Sequence, residues 1–209
     1  MTKKIFVHGL GHKAQSWDKM ISYMKYKEDI ICPNLSTILG DKDVNYQNLY
    51  ESFVQYCNAM KEPIHLCGIS LGGILALNYA LDYPQKVKTL VLIGTPHKVF
   101  KIAFHFQNII FQMLPKSIFK AMAFDKKGII SLLKTMINID FSHKVKNIKC
   151  STFVICGEKD NVNMKSLLFF SQNINCVQIK VIKKTGHEVN EENPEDLAKL
   201  LNEYYDVHV

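Results

Sequence analysis

The chain has 209 residues, 47% of them apolar, a formal charge of +7 and a pI near 9.0. That is enough for one domain with a sizeable core, and no stretch reaches the roughly 18 apolar residues of a membrane span. All 26 basic residues are lysine, which removes bidentate guanidinium recognition and, with no basic-aromatic motif, argues against nucleic acid as the partner.

The opening, Met1 to His8, has a three-residue apolar run, shorter than the roughly 7–15 residues of a secretory core, so a cytoplasmic location is expected. The six cysteines agree: their spacing forms no metal-ligand pattern and no Cys-x-x-Cys, so neither a metal nor a disulfide framework is expected. The first strand, Ile5 to Val7, runs into His8-Gly9-Leu10-Gly11, a turn that can present a backbone N–H. His8 reads as a structural hydrogen-bonding residue, whereas His12 and Trp17, just beyond, are candidates for touching substrate. A short second strand is predicted at Asp29 to Pro33. Val44 to Met60 follows as an amphipathic helix with Leu49, Phe53, Tyr56, Cys57 and Met60 on one face.

Pro63 to Cys67 is the next strand. It leads into Gly68-Ile69-Ser70-Leu71-Gly72 and then into a buried helix from Gly73 to Leu81, stopped at Tyr83-Pro84. A serine on a tight strand-to-helix turn has an exposed hydroxyl beside the free N–H groups of the helix start. Lys88 to Gly94 is another strand. Thr152 to Cys156 is a further one, ending in a glycine turn that carries Asp160. A helix follows, with Leu167, Leu168 and Phe170 as expected core contacts. Val177 to Ile182 leads to Thr185-Gly186-His187. The last helix opens at Asn193-Pro194 and carries the stripe Leu197, Leu200, Leu201 and Tyr204.

Ser70, Asp160 and His187 thus each lie just past the carboxyl end of a predicted strand. In a parallel sheet those ends share one edge, where open α/β folds build their sites. The residue types suit acyl transfer: a serine hydroxyl needs a base, histidine titrates near working pH, and a carboxylate fixes the imidazole tautomer. Asp125 and Asp140 are rival acids, but neither follows a predicted strand. Glu188 reads as a loop acid.

With these motifs in this order the chain resembles the α/β-hydrolase fold family over nearly its whole length. The resemblance implies Ser70 as nucleophile, His187 as general base and later acid, and Asp160 as orienting carboxylate. It also implies Leu10 and Leu71 as main-chain oxyanion donors. The implied fold is α/β: a doubly wound, mostly parallel sheet of about six strands with helices on both faces. The whole of 1–209 is expected to be one domain, trimmed of the family's usual opening hairpin, with a helical lid inserted at about 97–149.

From Lys98 to Lys149 ten lysines stand against Asp125 and Asp140, so the basic balance resides in this lid. Its apolar residues, Phe104 and Phe111 among them, are expected with His12 and Trp17 to line the substrate pocket. Against that stands a plainer reading, a helical layer burying its apolar face while its lysines solvate the outside. The expected activity is cleavage of a small-molecule carboxylic ester or thioester with an apolar acyl group, needing no cofactor. A non-catalytic ligand-binding protein on this scaffold and a lipase using the basic lid at a membrane surface are the alternatives. Membrane contact is not favoured.

Overall fold

Short runs rich in Val, Ile, Leu and Phe alternate with helical segments along the chain. A computed structural model describes residues 2–99, 114–115 and 117–208, and in it six such runs pair into one sheet. They are β1 (Lys4–Val7), β2 (Ile30–Ile31), β3 (Ile64–Ile69), β4 (Val87–Ile93), β5 (Ser151–Gly157) and β6 (Val177–Ile182). The order is β2-β1-β3-β4-β5-β6, and all five pairings are parallel. β2 is shorter than the sequence suggests, two residues instead of five.

Among the described residues the α-helices are α1 (Asp18–Ser22), α2 (Leu35–Leu39), α3 (Tyr46–Asn58), α4 (Leu71–Asp82), α5 (Lys126–Met136), α6 (Asn161–Asn173), α7 (Val189–Glu192) and α8 (Pro194–His208). Successive strand side chains point to opposite faces, so each central strand feeds two cores. Ile5, Val7, Leu66, Leu90, Leu92 and Val154 enter the core built with α2 to α6. Phe6, Cys67, Val91, Ile93 and Ile155 enter the other, built with α1, α7 and α8. Helix α4 is buried almost all round, as an apolar helix lying centrally on the sheet must be.

Two expectations are corrected by burial. Trp17 does not line a pocket: it is fully buried in the second core, edge-on to Phe6 with ring centroids 5.3 Å apart. Its ring is covered by Phe6 of β1, and the turn that carries it packs against α1 and α7, so none of its surface faces a pocket. Leu168 points outward and is 52% exposed, while Leu167 and Phe170 hold α6 to the core.

The segment between β4 and β5 is pinned at its base by a short antiparallel pairing. Lys98 bridges Asp140, the Val99 N–H donates to Ile139 O, and the Phe141 N–H donates to His97 O. Within it, α5 starts at Asp125, whose side chain accepts from the Gly128 N–H at 2.8 Å. Phe119, Phe124, Ile129, Leu132, Leu133 and Met136 join the first core. The described part of the segment therefore buries an apolar face in the manner of a packed layer. Phe104 and Phe111 lie outside the described residues. No described helix is long and apolar enough to cross a membrane.

Candidate active site

β3 ends at Ile69 and α4 begins at Leu71, so one residue makes the whole turn. Ser70 takes φ 53° and ψ −115°, a region L-residues rarely occupy, at a cost on the order of 1–3 kcal/mol. Its neighbours sustain that conformation. The Ser70 N–H donates to Ile93 O at 2.9 Å, and the Ser70 carbonyl accepts the first helical bond from the Ile74 N–H. Gly72 makes the close approach sterically feasible, since a Cβ there would stand 2.2 Å from the Val7 carbonyl oxygen. Leu71 is the first residue of α4, so its N–H has no intrahelical acceptor.

The turn after β1 meets this elbow. A Cβ on Gly9 would lie 3.6 Å from Ser70 Cβ and 3.4 Å from His12 Nδ1. His8 is fully buried behind it. Its Nε2 accepts from the Leu35 N–H at 3.1 Å, so the proton sits on Nδ1, 2.8 Å from Gly9 O. Gly9 O also accepts the His12 N–H at 3.2 Å. With that carbonyl held from two directions, the Leu10 N–H of the same rigid peptide must point the opposite way. Burial pushes the His8 pKa down to about 4, so the ring is neutral and serves as a wedge.

At the other end of the edge, Asp160 follows β5 and His187 follows β6. His187 Nδ1 stands 2.7 Å from Asp160 Oδ2. Asp160 is also the N-cap of α6, accepting the Asn163 N–H on Oδ1 at 3.2 Å. Burial alone would raise the Asp160 pKa, but hydrogen bonds from His187 and Asn163 and the His187 charge outweigh it and hold it below the usual range. Burial would likewise lower that of His187. The Asp160 bond and charge, helped by Glu188 and Glu192, win and raise it.

Gly94 joins the two ends. It follows Ile93, the acceptor for Ser70, and a Cβ on it would stand 3.0 Å from His187 Nδ1 and 3.2 Å from Asp160 Oδ2. The rival acids are engaged elsewhere: Asp125 caps α5, and Asp140 accepts from the Ser142 N–H.

His12 turns toward acids. Its Nε2 lies 3.2 Å from Glu188 Oε1 and 3.8 Å from Glu191 Oε1. Among the described residues this trio alone has ligand atoms grouped closely enough for a metal, all within 4.8 Å. Both acids are about half exposed, and exposed acidic groups gather in this way without an ion. The trio borders a polar hollow of about 870 Å³ with Gly11, Lys13 and Ser16. A second hollow, about 760 Å³, has Phe119, Met122, Phe124 and Ile130 on its walls, with Lys120, Lys126, Lys127 and Lys134 around them. Asn163 is the site residue that the sequence reading missed. Its signal was its place three residues after an N-capping acid.

A strained serine elbow, a carboxylate–imidazole pair and a glycine turn on one edge of a parallel sheet define an α/β protein of the hydrolase architecture. The family model for the alpha/beta hydrolase fold matches residues 5–130, and the chain belongs to that family. Monoacylglycerol lipase ABHD6 of Mus musculus is 20% identical, over 96% of this chain and 74% of its own. A pimeloyl-[acyl-carrier protein] methyl ester esterase of Wigglesworthia glossinidia brevipalpis is 23% identical, over 94% and 91%. Among solved structures, a carboxylesterase of Nitrososphaera gargenis superposes with TM-score 0.82 at 17% identity, covering 99% of this chain and 90% of its own. A thermophilic esterase from Thermogutta terrifontis gives 0.79 at 19%, covering 100% and 91%. These superpositions show a shared fold.

Proposed function

We propose that the protein is a serine hydrolase that cleaves a carboxylic ester or thioester with an apolar acyl group through an acyl-enzyme on Ser70. The observation that carries this reading is the 2.7 Å His187–Asp160 bond on the edge where Ser70 is held at φ 53°. The ester-hydrolase names of the relatives support it.

In the first half-reaction His187 Nε2 takes the Ser70 hydroxyl proton as Oγ attacks the acyl carbon. The carbonyl oxygen gains charge and is received by the Leu10 and Leu71 N–H groups. His187, held by Asp160 with Nδ1 protonated, passes its proton to the departing alcohol or thiol. Water then attacks the acyl carbon and yields its proton to His187. Collapse releases the carboxylic acid and returns the proton to Ser70. These steps use no cofactor. The acyl group is assigned to the apolar hollow, because Met122 on its wall has its Cε 4.0 Å from where a Cβ on Gly11 would stand. The segment at about 97–149 is read as the lid over this site, with His12 at its polar side and Phe104 and Phe111 as further wall residues.

A fluorophosphonate probe tests the reading. The expected result is stoichiometric labelling of the wild type and none of Ser70→Ala. An unlabelled wild type, or label that persists in the variant, overturns it. Rates on p-nitrophenyl esters and acyl thioesters of graded length then define the acyl group. The lysines around the apolar hollow favour a second reading, a lipase working at an anionic membrane surface. Sedimentation with anionic vesicles separates it from the first.

A further inference from the structure

Asp160 faces two demands at once. As the N-cap of α6 it must accept a backbone N–H on Oδ1, and as the partner of His187 it must present Oδ2. A carboxylate tied down only at the helix would pivot about its Cβ–Cγ bond, and the imidazole would follow it.

The geometry points to Asn163 as a positioning residue that fixes the plane of the Asp160 carboxylate and shares its charge between the start of α6 and His187. The Asn163 amide nitrogen lies 3.1 Å from Oδ1 and 2.9 Å from Oδ2. Its orientation follows from chemistry, since a carboxylate accepts and only the NH₂ end of the amide donates. The same nitrogen is 3.3 Å from His187 Nδ1. Both carry protons, so the two groups converge on Oδ2 as joint donors instead of bonding each other. Asn163 is 7% exposed, which shields these bonds from exchange with water. Gly94 leaves the space this Nδ1–Oδ2 pair needs, since a Cβ on it would crowd both atoms at 3.0 and 3.2 Å.

A second donor on Oδ2 draws off part of the negative charge that would otherwise act on the imidazole. Asn163 therefore restrains the basicity of His187 while keeping Asp160 ionised. The other charged groups facing His187 are Glu188 and Glu192 from its own loop and α7. Cys156 of β5 lies beside Asp160, its thiol pushed up to about 12 by burial and so uncharged. None of these changes when Asn163 is replaced.

The effect on turnover rests on the hydrolase reading; the effect on the imidazole does not. The experiment uses Asn163→Leu and, should the larger side chain hinder folding, Asn163→Ala. Three quantities are measured: the melting temperature, the His187 titration midpoint by ¹⁵N NMR, and the fluorophosphonate labelling rate against pH. The midpoint is expected to rise by about half a pH unit and labelling at pH 6.5 to slow about threefold or more. A lowered melting temperature with an unmoved midpoint makes Asn163 a helix-start residue only and overturns the proposal. An unmoved midpoint with unchanged stability overturns it too. If the midpoint moves while even the wild type takes no label, the positioning role stands and the hydrolase reading falls.

Discussion

The turn after β1 and the turn after β6 each place a histidine at the same sheet edge, and the two are held in opposite states. His8 meets a backbone carbonyl and a backbone N–H, so burial is unopposed by charge and drives its pKa down to about 4. His187 is also partly withdrawn from water, yet Asp160 more than offsets the cost and raises it. Partner chemistry, more than depth, decides which ring is fixed scaffolding and which can exchange a proton. The first region works by main-chain geometry, through Gly9, Gly72 and the Leu10 peptide. The second works by side-chain charge.

Replacing Asp160 by Asn gives the sharpest contrast. The amide oxygen can still cap α6, but the imidazole loses its negative partner, and labelling of Ser70 is expected to slow by about 10³–10⁴. A loss under tenfold, read by probe kinetics on folded protein, would remove Asp160 from the role of orienting acid. His8→Leu strikes the other region. It leaves the Leu35 N–H and one bond to Gly9 O unmade, costing about 2–4 kcal/mol in denaturant titrations and roughly tenfold or more in labelling. Normal stability and labelling would show that the turn holds itself.

The smallest effect is in pH dependence, where the regions diverge in sign. His8 has a folded pKa below the unfolded 6.5, so the unfolded chain binds the extra proton. Stability is therefore lost as pH falls from about 6.5 toward 4, by at most about 3 kcal/mol. His65, buried in β3 against Thr89 and likewise lowered to about 4, adds a similar loss. His187, raised, contributes stability that is present below pH 6.5 and lost as pH climbs through its folded value. Denaturant titrations of wild type and His8→Leu at pH 7 and 5 measure the difference. An acid-induced loss just as large in His8→Leu would refute the assignment to His8.

The strand–turn–helix around Ser70 and the acid and histidine after β5 and β6 were legible in the sequence. Each is written in a local run of a few residues, and a parallel sheet brings such strand ends to one edge. Trp17 was misread because an aromatic just past a functional turn has the same local pattern whether it faces a ligand or Phe6. Only the packing of α1 and α7 around that turn, against β1, decides which. Asn163 was missed for a related reason: its role exists only once α6 coils it back over its own cap. Helix α2 is not legible in the sequence because its five residues carry too little periodicity; its N-cap, Asn34, emerges only in the structure.

The turn carrying Leu10 is also tied to the distant segment between β4 and β5. The Ala123 N–H donates to His12 O at 3.2 Å, and Lys13 Nζ donates to Lys120 O at 3.1 Å. Residues 120–123 are thus tied to the His12 carbonyl and the Lys13 ammonium, just beyond Leu10, by two threads, and lifting them means cutting both. If, as proposed, that stretch covers the site and the Leu10 turn receives the acyl oxygen, then a guest's entry would loosen its own cradle, and entry and readiness would share one latch.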